Sequence, residues 1–126
     1  MYLCIDFDGT MVDHTFPNVG APVPNAVEWV KLFQTKGADI ILLTVRCDSF
    51  ERKHLQEAVS YMTGNDITLF GINDNPAQKD FSLSPKAWGH IYIDDAAFGC
   101  PLILPEGFGR PCVDWNKVGP AVLSKI

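Results

Sequence analysis

Four cysteines are scattered along the chain at positions 4, 47, 100 and 112, with no CxxC pair among them. That spacing argues against a zinc site and a disulfide framework, so free thiols in a reducing compartment are expected. Positive charge is also scarce, with ten Lys and Arg against fifteen Asp and Glu and a formal net charge of −5. A broad basic face for nucleic acid is therefore not expected, which leaves at most a local patch for a nucleic-acid end. No apolar run approaches the length of a bilayer crossing and no secretory leader is visible. A membrane partner is thus not expected, and the cytoplasm is the expected location. Without internal repeats or low-complexity tracts, the composition is that of an ordinary globular protein, 47% hydrophobic and 20% charged. A chain of 126 residues supports a single domain, residues 1–126, that folds without covalent staples.

The most informative stretch is Tyr2-Leu3-Cys4-Ile5-Asp6-Phe7-Asp8-Gly9-Thr10, a short apolar strand running into two carboxylates. Ionised carboxylates at the edge of an apolar sheet need a positive partner, and the carboxyl end of a strand in an open α/β sheet is where ligands bind. Metal or phosphate chemistry follows as the first reading. Residues 9–23 read as a loop, in which His14 and Phe16 either face substrate or belong to a solvated surface. Pro24 then opens a helix whose apolar face is Ala26, Trp29, Val30 and Phe33, with Gly37 after its end. Trp29 is expected in the core.

Residues 38–43 form a continuous apolar run expected as a strand buried on both faces, ending in Thr44-Val45-Arg46. A hydroxyl at such an edge supplies a donor for a phosphate oxygen without adding charge. Arg46 is expected either to contact phosphate or to enter an ion pair. Asp48 with Glu51 makes a capping pair for a second helix with Leu55, Ala58, Val59 and Met62 inward, closing near Gly64, and His54 is expected on its wet face. Residues 67–70 read as a third strand, and 71–89 as a long loop of the kind that is usually functional or mobile. The fourth strand, residues 90–93, ends in Asp94-Asp95, adjacent carboxylates whose repulsion a cation would relieve. A fifth strand is expected at 101–104, a Gly/Pro-rich loop containing Arg110 at 105–111, and a last helix at 116–126 weakened by Gly119-Pro120. Arg110 and Trp115 are candidates to border substrate.

Asp6-Phe7-Asp8-Gly9-Thr10, followed by Thr44 and then by Asp94-Asp95 after further strands, resembles the motif series of the haloacid dehalogenase-like hydrolase superfamily, whose members are mostly magnesium-dependent phosphatases. The similarity in organisation runs from residue 2 to about 104, and about nine positions carry it by identity. It implies a three-layer α/β sandwich around a five-stranded parallel, Rossmann-like sheet. No cap domain is expected, because neither interval that would carry one is long enough.

By this resemblance Asp6 is the nucleophile that forms an aspartyl phosphate. The Asp8 carbonyl helps to hold the metal, while the Asp8 side chain protonates the leaving oxygen and then activates water. Hard oxygen ligands suit Mg2+, expected on Asp6, Asp8, Asp94 and Asp95, with Asp95 the direct ligand of the last pair. Thr44, Arg46 and Lys86 are the expected substrate contacts. Lys86 is preferred over Lys79 as the ammonium that offsets phosphoryl charge, for its short spacing to Asp94. The expected activity is hydrolysis of a small phosphomonoester such as a nucleotide or other phosphorylated metabolite. The site is expected to be open unless loops or a homo-oligomer cover it. Alternatives are a phosphatase of polynucleotide ends, a non-catalytic phosphate-binding or phospho-accepting signalling domain, and an inactive scaffold of the same fold.

Overall fold

The computed structural model describes residues 1–126. Strands β1 (Tyr2–Ile5), β2 (Asp39–Leu42), β3 (Leu69–Ile72) and β4 (Ile91–Ile93) pair in parallel in the order β3-β2-β1-β4. Helices α1 (Ala26–Thr35) and α2 (His54–Gly64) cross from β1 to β2 and from β2 to β3. The chain is thus an α/β protein in which β1 lies inside the sheet, and the carboxyl ends of β1, β2 and β4 share one edge.

The sheet has four strands where five were expected. Residues Leu102–Ile103 do form a strand, β5, but it pairs antiparallel with β6 (Cys112–Val113) in a separate hairpin. A parallel return needs a crossover of a dozen or more residues, and only residues 94–101 separate β5 from β4. The Gly/Pro-rich segment 105–111 instead turns the chain back on itself and leads into α3 (Trp115–Leu123).

Alternation along β1 and β2 divides the core. Leu3, Ile5, Ile40 and Leu42 face one side and pack with residues of all three helices, among them Phe33, Met62 and Trp115. Cys4 and Ile41 face the other side and meet Ala87. The layer covering that side is the 73–90 loop with one 3-10 turn (Pro76–Gln78), not a layer of helices. Two buried amides hold this loop in shape. The Gln78 side chain donates to the Ser84 and Lys86 carbonyls and accepts from the Trp88 N–H, while the Asn75 amide donates to the Trp88 carbonyl.

Three local expectations shift. The third strand starts at Leu69 because Ile67 is drawn into the core and the Gln34 side chain holds both backbone groups of Thr68. Helix α2 starts at His54, so Asp48 and Glu51 make no capping box. Asp48 still accepts from the Gln56 N–H in the first turn, at 3.0 Å. In α3, Gly119 faces the Trp29 indole so closely that a Cβ there would lie 2.6 Å from Trp29 Cγ. The glycine that lowers helix propensity is also what lets α3 dock on α1.

Candidate active site

The same alternation that buries Phe7 among the helices turns Asp6 to the loop side. The Asp6 N–H donates to the Ile93 carbonyl, extending the β1–β4 pairing up to the acids. Asp6, Asp94 and Asp95 thereby offer carboxylate oxygens that all lie within 4.8 Å of one another. Thr10 ties them together, because its hydroxyl donates to Asp6 Oδ2 (3.0 Å) and accepts from the Asp95 N–H (3.2 Å). Asp94 Oδ1 accepts from the Ala96 N–H, which closes the turn after β4.

None of these three carboxylates forms an ion pair. Burial, and then the charges of Asp94 and Asp95 against the pull of Thr10, push the Asp6 carboxyl up to about 8. Asp95 is raised as well, first by burial and then by Asp94, while its hydrogen bond with Asp6 acts the other way. Three converging carboxylates without an ion-pair partner match a hard divalent cation of the Mg2+ kind, which would favour their ionised forms. The donor set therefore fits the ion expected from the sequence.

Asp8 has a different environment. Arg46 Nε donates to Asp8 Oδ2 at 2.7 Å and Nη2 to Oδ1 at 2.8 Å, a bidentate pair. The remaining guanidinium bonds go to the carbonyls of Pro17, Asn18 and His54. Its plane is flanked by the Phe7 and Phe16 rings at 5.2 and 5.1 Å. These five bonds match the five N–H groups of a guanidinium, and the Arg46 side chain is 0% exposed. Of the two expectations for Arg46, a phosphate contact and an ion pair, the ion pair is the one found, and no donor is left free for substrate. It fastens the end of β2 to Asp8, to the 14–18 loop and to the start of α2. His54, expected on the wet face, packs beside Phe16 with its Nδ1 buried and without a hydrogen-bond partner.

Asp6, Asp8, Thr44, Asp94 and Asp95 line one pocket of 360 Å³, with His14, Phe16 and Arg110 also on its wall. The Asn73 side chain fixes the Thr44 N–H at 2.7 Å, and the Thr44 hydroxyl oxygen accepts from the Arg46 N–H at 3.1 Å. Its proton is left free to donate into the pocket. A larger groove of 570 Å³ between α2 and β3 is lined mostly by aliphatic and threonine side chains, with Asp66 its one ionisable group, and assembles no chemistry.

Neither candidate lysine lines the pocket. Lys86 Nζ rests 5.5 Å from the centre of the Tyr92 ring, and Lys79 pairs with Asp74. Trp115, a candidate substrate neighbour, is buried, and its indole N–H donates to the Thr10 carbonyl. Sequence reasoning missed the bridging role of the Thr10 hydroxyl and the support that Asn73 gives Thr44. The first was within reach, since the threonine follows the acid pair directly. No local pattern marks the second.

No protein-family model matches the chain, and no curated protein matches it. A solved structure described as a conserved protein coded by a locus from Bacteroides thetaiotaomicron is similar to it, at 28% sequence identity and a TM-score of 0.78, over 100% of this chain and 92% of that one.

Proposed function

We propose that the protein is a magnesium-dependent phosphomonoester hydrolase of the haloacid dehalogenase-like type, acting on a small phosphorylated substrate such as a nucleotide. In this reading the parallel sheet is a Rossmann-like core without a cap domain. The observation that carries the reading is the meeting of Asp6, Asp94 and Asp95 without an ion-pair partner, in a pocket shared with Asp8 and Thr44. Asp6, Asp94 and Asp95 would hold the ion together with the Asp8 carbonyl. Bound there, it would neutralise these carboxylates and the incoming phosphate.

Asp6 is the nucleophile, because it is the strand-end carboxylate fixed by Thr10. One Asp6 oxygen attacks phosphorus, the ester P–O bond breaks, and the leaving oxygen takes a proton from Asp8. Water then attacks the phosphorus of the aspartyl phosphate, giving its proton to Asp8 and releasing phosphate and the Asp6 carboxylate. Thr44 donates to a nonbridging phosphate oxygen. Both Asp8 oxygens accept from Arg46 in this structure. To act as the acid, Asp8 must therefore turn from Arg46 into the pocket it already lines and take up a proton from solvent, which the attacking water then restores at the end of each cycle.

That pairing also favours a second reading, a phospho-accepting domain whose aspartyl phosphate is long-lived because Asp8 stays with Arg46. One experiment separates the two. Wild type and Asp6→Asn are mixed with Mg2+ and an aryl phosphate, then followed by phosphate release and by mass spectrometry of acid-quenched protein. Turnover in wild type alone supports the hydrolase, whereas phosphorylated Asp6 accumulating without phosphate release supports the acceptor. Equal turnover in both proteins removes Asp6 from the chemistry.

A further inference from the structure

We propose that Arg110 selects substrates that carry a second anionic group on the leaving-group side of the phosphoester. This rests on the reading of the pocket as a phosphomonoester site and goes beyond it, to the class of molecule it takes.

The positive charges near the acids have separate fates. Arg46 is buried and consumed by Asp8 and three carbonyls. Lys86 lies over Tyr92 outside the pocket wall, and Lys79 is paired with Asp74. Arg110 alone among the arginines and lysines both lines the pocket and lacks a carboxylate partner.

Its placement is built into the fold. The β5–β6 hairpin that carries it is anchored to the acid-bearing loop, with the Val113 N–H donating to the Gly9 carbonyl at 3.0 Å. Just beyond, the Trp115 indole donates to the Thr10 carbonyl at 2.8 Å. The hairpin is therefore tied to the nucleophile loop, and Arg110 is delivered to the pocket from an element outside the parallel sheet.

Arg110 is exposed, whereas Asp6 and Thr44 are partly covered at the sheet edge. A phosphoryl group held at Asp6 and Thr44 lies at the inner end of the pocket. The part of the substrate beside Arg110 is then what projects outward, the leaving group. A guanidinium at that position favours a carboxylate or a further phosphate, which it can bind bidentately. Phe16 and Val45, which also line the pocket and are 50% and 99% exposed, offer apolar surface to the body connecting the two anions. The substrate class is thus a phosphomonoester with a second anion separated from the first by an apolar or aromatic spacer.

The test uses a nearly isosteric pair that differs in charge, 4-carboxyphenylphosphonate and 4-carbamoylphenylphosphonate. Both resist hydrolysis, and their binding in saturating Mg2+ is measured by calorimetry on wild type, Arg110→Gln and Arg110→Lys. Wild type should prefer the carboxylate by about ten-fold. Arg110→Gln should lose most of that preference, and Arg110→Lys should keep part of it. The same preference in wild type and Arg110→Gln, or none in wild type, overturns the proposal. Turnover of the matching phosphate esters reports separately on the hydrolase reading. Ligands that bind with the charge preference but whose esters are not hydrolysed sink that reading and leave the assignment of Arg110 standing.

Discussion

Gly9 and Asp95 meet backbone to carboxylate. A Cβ built at position 9 would stand 2.6 Å from Asp95 Cγ, and Gly9 holds a φ of +85°. Two separate requirements therefore converge on this glycine, a left-handed backbone and room for an acid from another strand. Gly9→Ala is expected to cost about 1–3 kcal/mol of stability and to push Asp95 away from Asp6. Denaturant unfolding in EDTA reads the first effect and calorimetric Mg2+ titration the second. Wild-type ion affinity in the alanine variant would show that the contact does not position Asp95.

Thr10 should set the titration of the site. Its hydroxyl is the one group that pulls the Asp6 carboxyl down against burial and the other acids, and it also satisfies the Asp95 N–H. Thr10→Val is expected to raise the Asp6 midpoint further and to cost about 1–3 kcal/mol for the orphaned partners, while Thr10→Ser stays near wild type. Carbon-detected NMR titration of the carboxyls in metal-free protein measures the midpoint. A fall in the valine variant would contradict the hydrogen bond.

Stability of the metal-free protein should fall as pH rises. Burial pushes the Asp6 carboxyl up to about 8 in the folded chain from the 3.8 of an ordinary Asp, and Asp95 is displaced in the same direction. Across that window the native state binds more protons than the unfolded chain, so the free energy of unfolding declines with pH. The contribution of the protonated acids is complete below the ordinary Asp value and is lost as pH passes through the folded one. Saturating Mg2+ favours the ionised acids and should flatten or reverse the slope. Melting temperatures in EDTA and in Mg2+, from about pH 5 to about pH 9, test this. Asp6→Asn should flatten the EDTA curve, and an unchanged slope in that variant would move the effect to other groups.

Arg46 should matter first to folding and then to chemistry. Its buried guanidinium neutralises Asp8, so Arg46→Met leaves an acid with 11% side-chain exposure without its partner, at a cost of about 3–5 kcal/mol. Asp8→Asn leaves the arginine unpaired in turn, and the double variant Arg46→Met with Asp8→Asn should cost less than the two single effects added together. Denaturant unfolding of the four proteins gives the coupling directly. Strict additivity would mean that the pair contributes nothing.

Much of this site was legible in the chain because its signals are local. An apolar run ending in acid marks a strand edge whatever surrounds it, so Asp6, Asp8, Thr44, Asp94 and Asp95 were all placed at strand ends, and the structure brings all five to one pocket. The long loop 71–89 was harder, since Asn75 and Gln78 look like ordinary loop amides until they are seen holding its backbone.

The sequence by itself determined the alternation of strands and helices, and with it a parallel sheet, because hydrophobic period and turn residues act over a few positions. Only the tertiary structure decided the partners of charges and of short strands. Arg46 finds Asp8 across 38 positions of chain, and whether it reads phosphate or locks a carboxylate depends on burial and on which acceptors face its five donors. Residues 102–103 suit a strand in any sheet, and only the short link from β4 and the turn before Cys112 made that strand half of a hairpin. Arg110 sits in a loop without a motif and comes to line the pocket of the acids because its hairpin is tied to Gly9, which accepts a hydrogen bond from Val113. Contacts of that separation depend on how the whole chain closes, which no local pattern encodes.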